Sequence, residues 1–211
     1  MHKLFWDDPY KNECEAIVTK VNENKIYLDQ TVFFAFSGGQ ASDSGTINDI
    51  TVKEAVAENE EIYYILEENK TFPQGEKVEV KIDLEKRKRI MRLHSAAHIV
   101  YFLIIRKIGK QQIIGSNVYE DKSRLDFLYD KNLSEIVPEL QKEINEIIEK
   151  GLKIKIYNDT DNPGRRFWEI DGYEKMHCGG THLKNTKEIG NIKLKRKNIG
   201  AGKERIEIIL D

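Results

Sequence analysis

Through the first eighty or so positions, apolar residues come in short runs separated by polar ones. EAIVTKV, KIYLD, TVFFAF, IYYILE and KVEVKID are rich in β-branched and aromatic side chains, and Asn, Gly and Asp punctuate them. NENK, between EAIVTKV and KIYLD, has the composition of a hairpin turn. Many short strands without intervening helix predict a small barrel or sandwich. The pattern changes near Asp83. Ile90, Leu93, Ala97, Val100, Ile104 and Ile108 recur at helical spacing, with no Pro or Gly before Gly109. A long helix is predicted from about Leu84 to Lys107, with Asp83 as N-cap and Gly109 just past its end.

Beyond this helix, IIGSNVYEDKSRLDFLYD reads as two strands and a turn. LSEIVPELQKEINEIIEKG reads as a second helix, with Ile136, Leu140, Ile144 and Ile147 on one face, Pro138 in the first turn and Gly151 as its stop. LKIKIYND is a strand, and GNIKLKRKNIGAGKERIEIIL a closing hairpin. The expected class is therefore α+β. A β-rich part spans residues 1–83 and a mixed part residues 84–211.

Composition narrows the class. Of 211 residues, 39% are apolar and 33% charged, as in a soluble globular protein with room for one large or two small domains. No apolar run approaches the ~20 residues of a membrane span. MHKLFWDDPYKNECE lacks the apolar stretch of a secretory signal, so the expected location is the cytoplasm, with no membrane partner. Cys14 and Cys178 are too few for a disulfide scaffold, and Cys14, within ECEAIVTKV, reads as a small buried apolar residue.

The net charge of -2 argues against a general nucleic-acid-coating protein, but the charges are unevenly spread. Between Lys184 and Arg205 stand Lys184, Lys187, Lys193, Lys195, Arg196, Lys197, Lys203 and Arg205, against only Glu188 and Glu204. Lys86, Arg87, Lys88, Arg89 and Arg92 add a second basic stretch. Such a split can give a phosphate-binding face on a weakly acidic protein, although most charge runs are simply solvated.

The candidate chemistry lies in two five-residue stretches. HSAAH places His94 and His98 four apart on the predicted helix, hence on one face. CGGTH places Cys178 and His182 at the same spacing, across a Gly-Gly turn whose glycines permit unusual backbone angles and close approach. Three imidazoles and one thiolate form an ordinary zinc set, and the sulfur favours zinc over other metals. His177 is the spare. Four protein ligands usually close a structural site, whereas a catalytic site keeps a position for water or substrate, and both readings stay open. A metalloprotease is excluded, because Ser95 stands where HExxH requires Glu.

Beyond the ligands, TVFFAFSGGQASDSG, RIMRLHSAAHIV, GSNVYEDKSRLDF, CGGTHLKNTKEIGNIKL and GKERIEIIL follow one another in a familiar order. Together they resemble the freestanding alanyl-tRNA editing proteins of the AlaX family, in the medium-length form, and the editing half of alanyl-tRNA synthetase. The resemblance implies a small N-terminal β-barrel-like domain followed by a zinc-containing α+β editing domain. It implies hydrolysis, in trans, of the ester joining serine, and sometimes glycine, to the 3′-terminal adenosine of alanine tRNA. It assigns one Zn2+ to His94, His98, Cys178 and His182. Thr31 would tell serine from alanine through its hydroxyl. Gly38, Gly39 and Gln40 would shape the pocket or simply make a turn. Lys193, Lys195, Arg196 and Lys197 would hold acceptor-stem phosphates, so binding should weaken with salt. Asp126 would be structural, paired with Arg124. One departure stands out: the synthetase often has Gln two residues before the Gly of its GS motif, where this chain has Ile113, with Gln112 one earlier. The resemblance implies no obligate protein partner. A zinc-stabilised RNA-binding module without chemistry, and an editor of another tRNA such as mischarged threonine tRNA, are the alternatives.

Overall fold

A computed structural model describes residues 1–162 and 164–211. The chain divides into two compact units, Met1–Lys88 and Arg89–Asp211. Strands predominate and three α-helices accompany them among the described residues, in agreement with the expected α+β class. The unit boundary falls inside the first long helix, after Lys88.

The first unit runs β1 (His2–Lys3), α1 (Leu4–Asp7), β2 (Glu13–Asn22), β3 (Lys25–Leu28), β4 (Gln30–Thr31), β5 (Gly45–Ile47), β6 (Ile50–Glu58), β7 (Glu61–Leu66) and β8 (Lys77–Ile82). Six strands close into a ring in the order β2-β3-β7-β6-β5-β8, with every neighbouring pair antiparallel. A closed ring leaves no strand edge unpaired. Alternate residues point inward: Cys14, Ala16 and Val18 from β2, and Val78, Val80 and Ile82 from β8, are buried together with Ile26, Leu28, Ile62, Tyr64 and Leu66. Gly45 is required by close approach, since a Cβ there would lie 2.0 Å from the Lys81 carbonyl oxygen of the neighbouring strand.

Two expectations fail in this unit. TVFFAF is not a strand beyond Thr31; residues 32–35 are irregular yet buried. Side chains take the place of a ladder partner. Phe33 N–H donates to Thr31 Oγ1 (3.0 Å), and Phe34 N–H to Asp43 Oδ2 (2.7 Å). The Val32 carbonyl accepts from Arg87 Nη2 (2.8 Å), and the Phe34 carbonyl from Ser42 (3.1 Å). Buried amides need partners of some kind, and these side chains provide them. The segment ITVKEAVAE, for which no strand was predicted, is strand β6. It sends Val52 and Ala55 inward, with a bulge between Val52 and Glu54.

α2 (Leu84–Ile108) begins at the end of the first unit and continues into the second. Lys86 N–H donates to Asp83 Oδ1 (3.0 Å), which satisfies one of the free amides of the first turn. At the other end Gly109 has φ +77° and donates its N–H to the Ile105 carbonyl (2.8 Å). The expected stripe is buried except for Ile108, which is half-buried, and Met91, Ala96, Ile99 and Leu103 are buried as well.

The rest of the second unit runs β9 (Ile113–Val118), β10 (Lys122–Leu128), α3 (Val137–Lys150), β11 (Ile154–Asn158), β12 (Arg166–Ile170), β13 (Met176–His177), β14 (Ile192–Asn198) and β15 (Lys203–Leu210). Antiparallel pairing builds a four-stranded sheet, β14-β15-β10-β9, and a three-stranded one, β11-β12-β13. α3 buries Leu140, Ile144 and Ile147, has Pro138 in its first turn and ends on Gly151, as its periodicity predicts. It is fastened to β14 by Gln141, which donates to the Ile192 carbonyl (3.0 Å) and accepts from Leu194 N–H (2.8 Å). The short strands β12 and β13 lie in RRFWEIDGYEKMH, whose mixed charges hid them. No helix among the described residues is long and apolar enough to cross a membrane.

Candidate metal centre

α2 presents His94 and His98 one turn apart, with ring centroids 4.8 Å from each other. Cys178 directly follows β13, and its N–H donates to the Arg166 carbonyl (2.9 Å), so a sheet edge holds it in place. His182 lies four residues on. The loop that carries it docks on α2 through Leu183 N–H, which donates to the hydroxyl of the fully buried Ser95 (3.2 Å). Neither Gly179 nor Gly180 has a positive φ, so the turn does not draw on the freedom that its glycines permit.

One donor atom from each of His94, His98, Cys178 and His182 lies within 4.8 Å of every other. Cys178 Sγ is 3.4 Å from His94 Nε2 and 3.4 Å from His182 Nε2, and the Nε2 atoms of His98 and His182 are 2.9 Å apart. Tetrahedral zinc bonds of about 2.0–2.3 Å place ligands about 3.4–3.8 Å from one another. The spacing therefore suits an ion of that size, with the two closest imidazoles needing only a small outward shift. No Asp or Glu among the described residues joins the group.

The electrostatics suit a cation. Burial pushes the His94 imidazole down to about 4, opposed by a hydrogen bond to the Thr181 backbone. His98 and His182 fall well below the ordinary histidine value, through burial first and neighbouring imidazoles second. All three rings are thus neutral at physiological pH, the form that binds metal. Burial pushes the Cys178 thiol up to about 11, opposed by the Gly180 backbone and the Arg166 charge. A dication at the centre would favour the thiolate. Trp168, fully buried, closes one side: its ring lies 4.8 Å from that of His98 and 6.0 Å from that of Phe102.

The other candidates fall elsewhere. Thr31 lies in the first unit and is fully buried; Oγ1 accepts from Tyr64 O–H (2.7 Å) and from Phe33 N–H (3.0 Å). Burial pushes the Tyr64 hydroxyl up, so it remains a donor. Gly38 and Gly39, with φ +58° and +84°, form the tip of a tight turn closed by paired hydrogen bonds between Ser37 and Gln40. Gln40 is buried, and Phe36 stands 55% exposed beside the turn. Asp126 pairs with Arg124 as expected, and also with Arg205 (2.7 Å). Ile113 and Gln112 are both exposed. His177 stays out of the cluster and stacks on Phe167 at 4.3 Å. Cys14 is buried, and both cysteines are free.

The basic residues divide. Lys193, Lys195 and Lys197 are exposed, whereas the Arg196 guanidinium grips Glu204, itself 2% exposed, with Nε 2.5 Å from Oε2. The stretch at the start of α2 is largely engaged. Arg87 is buried on Asp43, Lys88 pairs with Glu85, Arg89 donates to the Glu120 carbonyl and Arg92 to that of Ile189. Sequence reasoning missed Ser95 and Trp168. A serine in the middle of an apolar helix, where it is disfavoured, was the available signal for the first.

A paired helix and loop converging on four donors, within an α+β chain, define a class of site that could hold a metal ion. Comparison supplies the family. Residues 166–207 match the threonyl and alanyl tRNA synthetase second additional domain, and residues 6–86 match the class II (A) tRNA synthetases. The alanyl-tRNA editing protein AlaX-M of Pyrococcus horikoshii is 36% identical over 213 residues, covering 99% of this chain and 97% of that protein. AlaX-M of Saccharolobus solfataricus is 35% identical, covering 97% and 96% respectively. The alanine–tRNA ligase of Methanococcus maripaludis is 35% identical over 97% of this chain, which spans 25% of that longer protein. The chain belongs to the AlaX-M family of alanyl-tRNA editing proteins.

Proposed function

We propose that this protein hydrolyses the ester linking a wrong amino acid, chiefly serine and secondarily glycine, to the 3′-terminal adenosine of alanine tRNA. The observation that carries this reading is the convergence of His94, His98, Cys178 and His182 in a chain of the AlaX-M family. Those four residues would hold one Zn2+, which their number, type and spacing fit. When bound, zinc supplies Lewis acidity at the ester. The chain's own residues do the rest. Trp168 and Phe102 keep one side of the centre dry. Ser95 holds the Cys178–His182 loop in register with the helical histidines. The neutral imidazoles serve as ligands rather than as acids. Thr31 enters as a discriminating residue whose oxygen is already committed to Tyr64 and Phe33, so what it can still offer a serine side chain is its hydroxyl hydrogen.

The test is incubation with alanine tRNA charged with serine, glycine or alanine, with and without a chelator. Serine should be released fastest and alanine spared, and activity should disappear on chelation and in His98→Ala. Thr31→Val should slow serine release roughly tenfold, the equivalent of about 1.4 kcal/mol of transition-state binding, and leave the small glycine substrate less affected. Release of serine that survives both full chelation and His94→Ala overturns the scheme. A closed set of four protein ligands is also what a structural zinc site shows, so the rival is an RNA-binding module. It predicts that charged tRNA survives while metal removal unfolds the chain.

A further inference from the structure

Strand alternation gives the β14-β15-β10-β9 sheet two unlike sides. One side carries Ile192, Leu194, Ile206, Ile208, Leu125 and Phe127, all buried, and α3 is fastened to it. The register fixes what lies on the other. Lys193, Ile209 and Lys122 form one row across the sheet. Lys195, Glu207, Arg124 and Asn117 form the second, and Lys197, Arg205, Asp126 and Gly115 the third. Lys203, opposite Leu128, follows in a fourth row, so seven cations share the face with two carboxylates, a surplus of five positive charges (seven minus two).

The carboxylates lie beneath the cations. Glu207 and Asp126 side chains are 4% and 6% exposed. Lys197 and Lys122 reach Glu207 from either side, at 3.0 and 3.4 Å. Arg205 binds Asp126 through two nitrogens, at 2.7 and 3.0 Å, and Arg124 shares the same carboxylate. The acids fix the long basic side chains in place and are hidden from solvent by them. Lys193 and Lys195 stand exposed on the edge strand with no acidic partner among the described residues. Arg196, by contrast, has the register of the core side and is committed to Glu204.

We propose that this sheet face, and not the basic segment as a whole, grips the phosphate backbone of the RNA substrate. The proposal rests on the editing reading for the identity of that RNA. In the first two rows the cations stand two strands apart, roughly 10 Å, with Ile209 or Glu207 between them, while Lys197 and Arg205 are direct neighbours; with the acids buried beneath, the exposed charge is of one sign, which suits a line of phosphates. Phosphate contacts position a nucleic acid without reading its sequence, so this face sets where the acceptor stem lies and leaves amino-acid choice to other residues. Lys122 and Arg124, sixty or more positions before the basic segment, belong to it.

Filter binding of uncharged alanine tRNA over a salt series tests the assignment. The Lys193→Ala/Lys195→Ala variant should bind more weakly, with a log–log salt slope shallower by about one for each lysine removed. Lys193→Arg/Lys195→Arg should keep both. Lys150→Ala, at the end of the helix that covers the opposite side, should match the parent chain. An unchanged slope in the double alanine variant, or an equal loss from Lys150→Ala, overturns the proposal. Deacylation of charged tRNA is scored separately. If no amino acid is released by the parent chain, the editing reading falls while the salt slopes still decide the surface.

Discussion

A single hydroxyl shows how much the site depends on small groups. Ser95 sits between the two helical histidines and accepts the Leu183 N–H that seats the cysteine-bearing loop. Ser95→Ala leaves that amide buried without a partner, a loss of about 1–3 kcal/mol. The expected result, read by urea unfolding, is a lower midpoint together with weaker zinc uptake in a competition with a chromogenic chelator. An unchanged midpoint and unchanged uptake would remove Ser95 from the site. The four residues of the cluster were legible because imidazole and thiol are scarce in this chain and equally spaced in both pairs. Ser95 and Trp168 were not, since their roles exist only once helix and loop meet. Thr31 was legible as a motif residue, but its burial against Tyr64 was not, because that contact joins positions 33 apart in the sequence.

At the level of elements, strong periodicity carried over and weak periodicity misled. α2 matches the predicted helix within a residue, because caps and apolar spacing agree, whereas α3 starts at Val137, four residues into the predicted stretch, which leaves Ile136 at its N-cap. The apolar run after Thr31 was misread, because its backbone is satisfied by Asp43, Arg87 and Ser42 rather than by a neighbouring strand. β6 went unseen because only Val52 and Ala55 mark its inner side. The Asp83 cap gives the cleanest test of an element: Asp83→Ala should lower stability by about 1 kcal/mol, measured by denaturant midpoint, while Asp83→Asn or Asp83→Ser should retain most of it. If the alanine variant is as stable as the parent, another group satisfies the first turn.

For the molecule as a whole, the patterning along the chain switches from strand-like to helical near Asp83, and the division into two compact units falls within α2. A ligand that binds only the folded state raises its stability by mass action. Removal of metal is therefore expected to lower the midpoint of thermal unfolding, and the loss should be restored by adding zinc. A midpoint indifferent to chelator and to zinc would count against a bound ion. The cation surplus on the outer sheet face required both strand register and the burial of Asp126 and Glu207, neither of which a charge count along the chain reveals.

His98 and Cys178 are 80 positions apart, and an ion joining them would close nearly two thirds of the second unit into one loop. Such an ion binds the folded chain and not the disordered one, so it ties that loop in the native state alone and its contribution follows metal affinity and concentration, unlike a disulfide, which also restrains the unfolded chain. Amide exchange across β9, β10 and α3, all inside that loop, should then quicken when the ion is withdrawn.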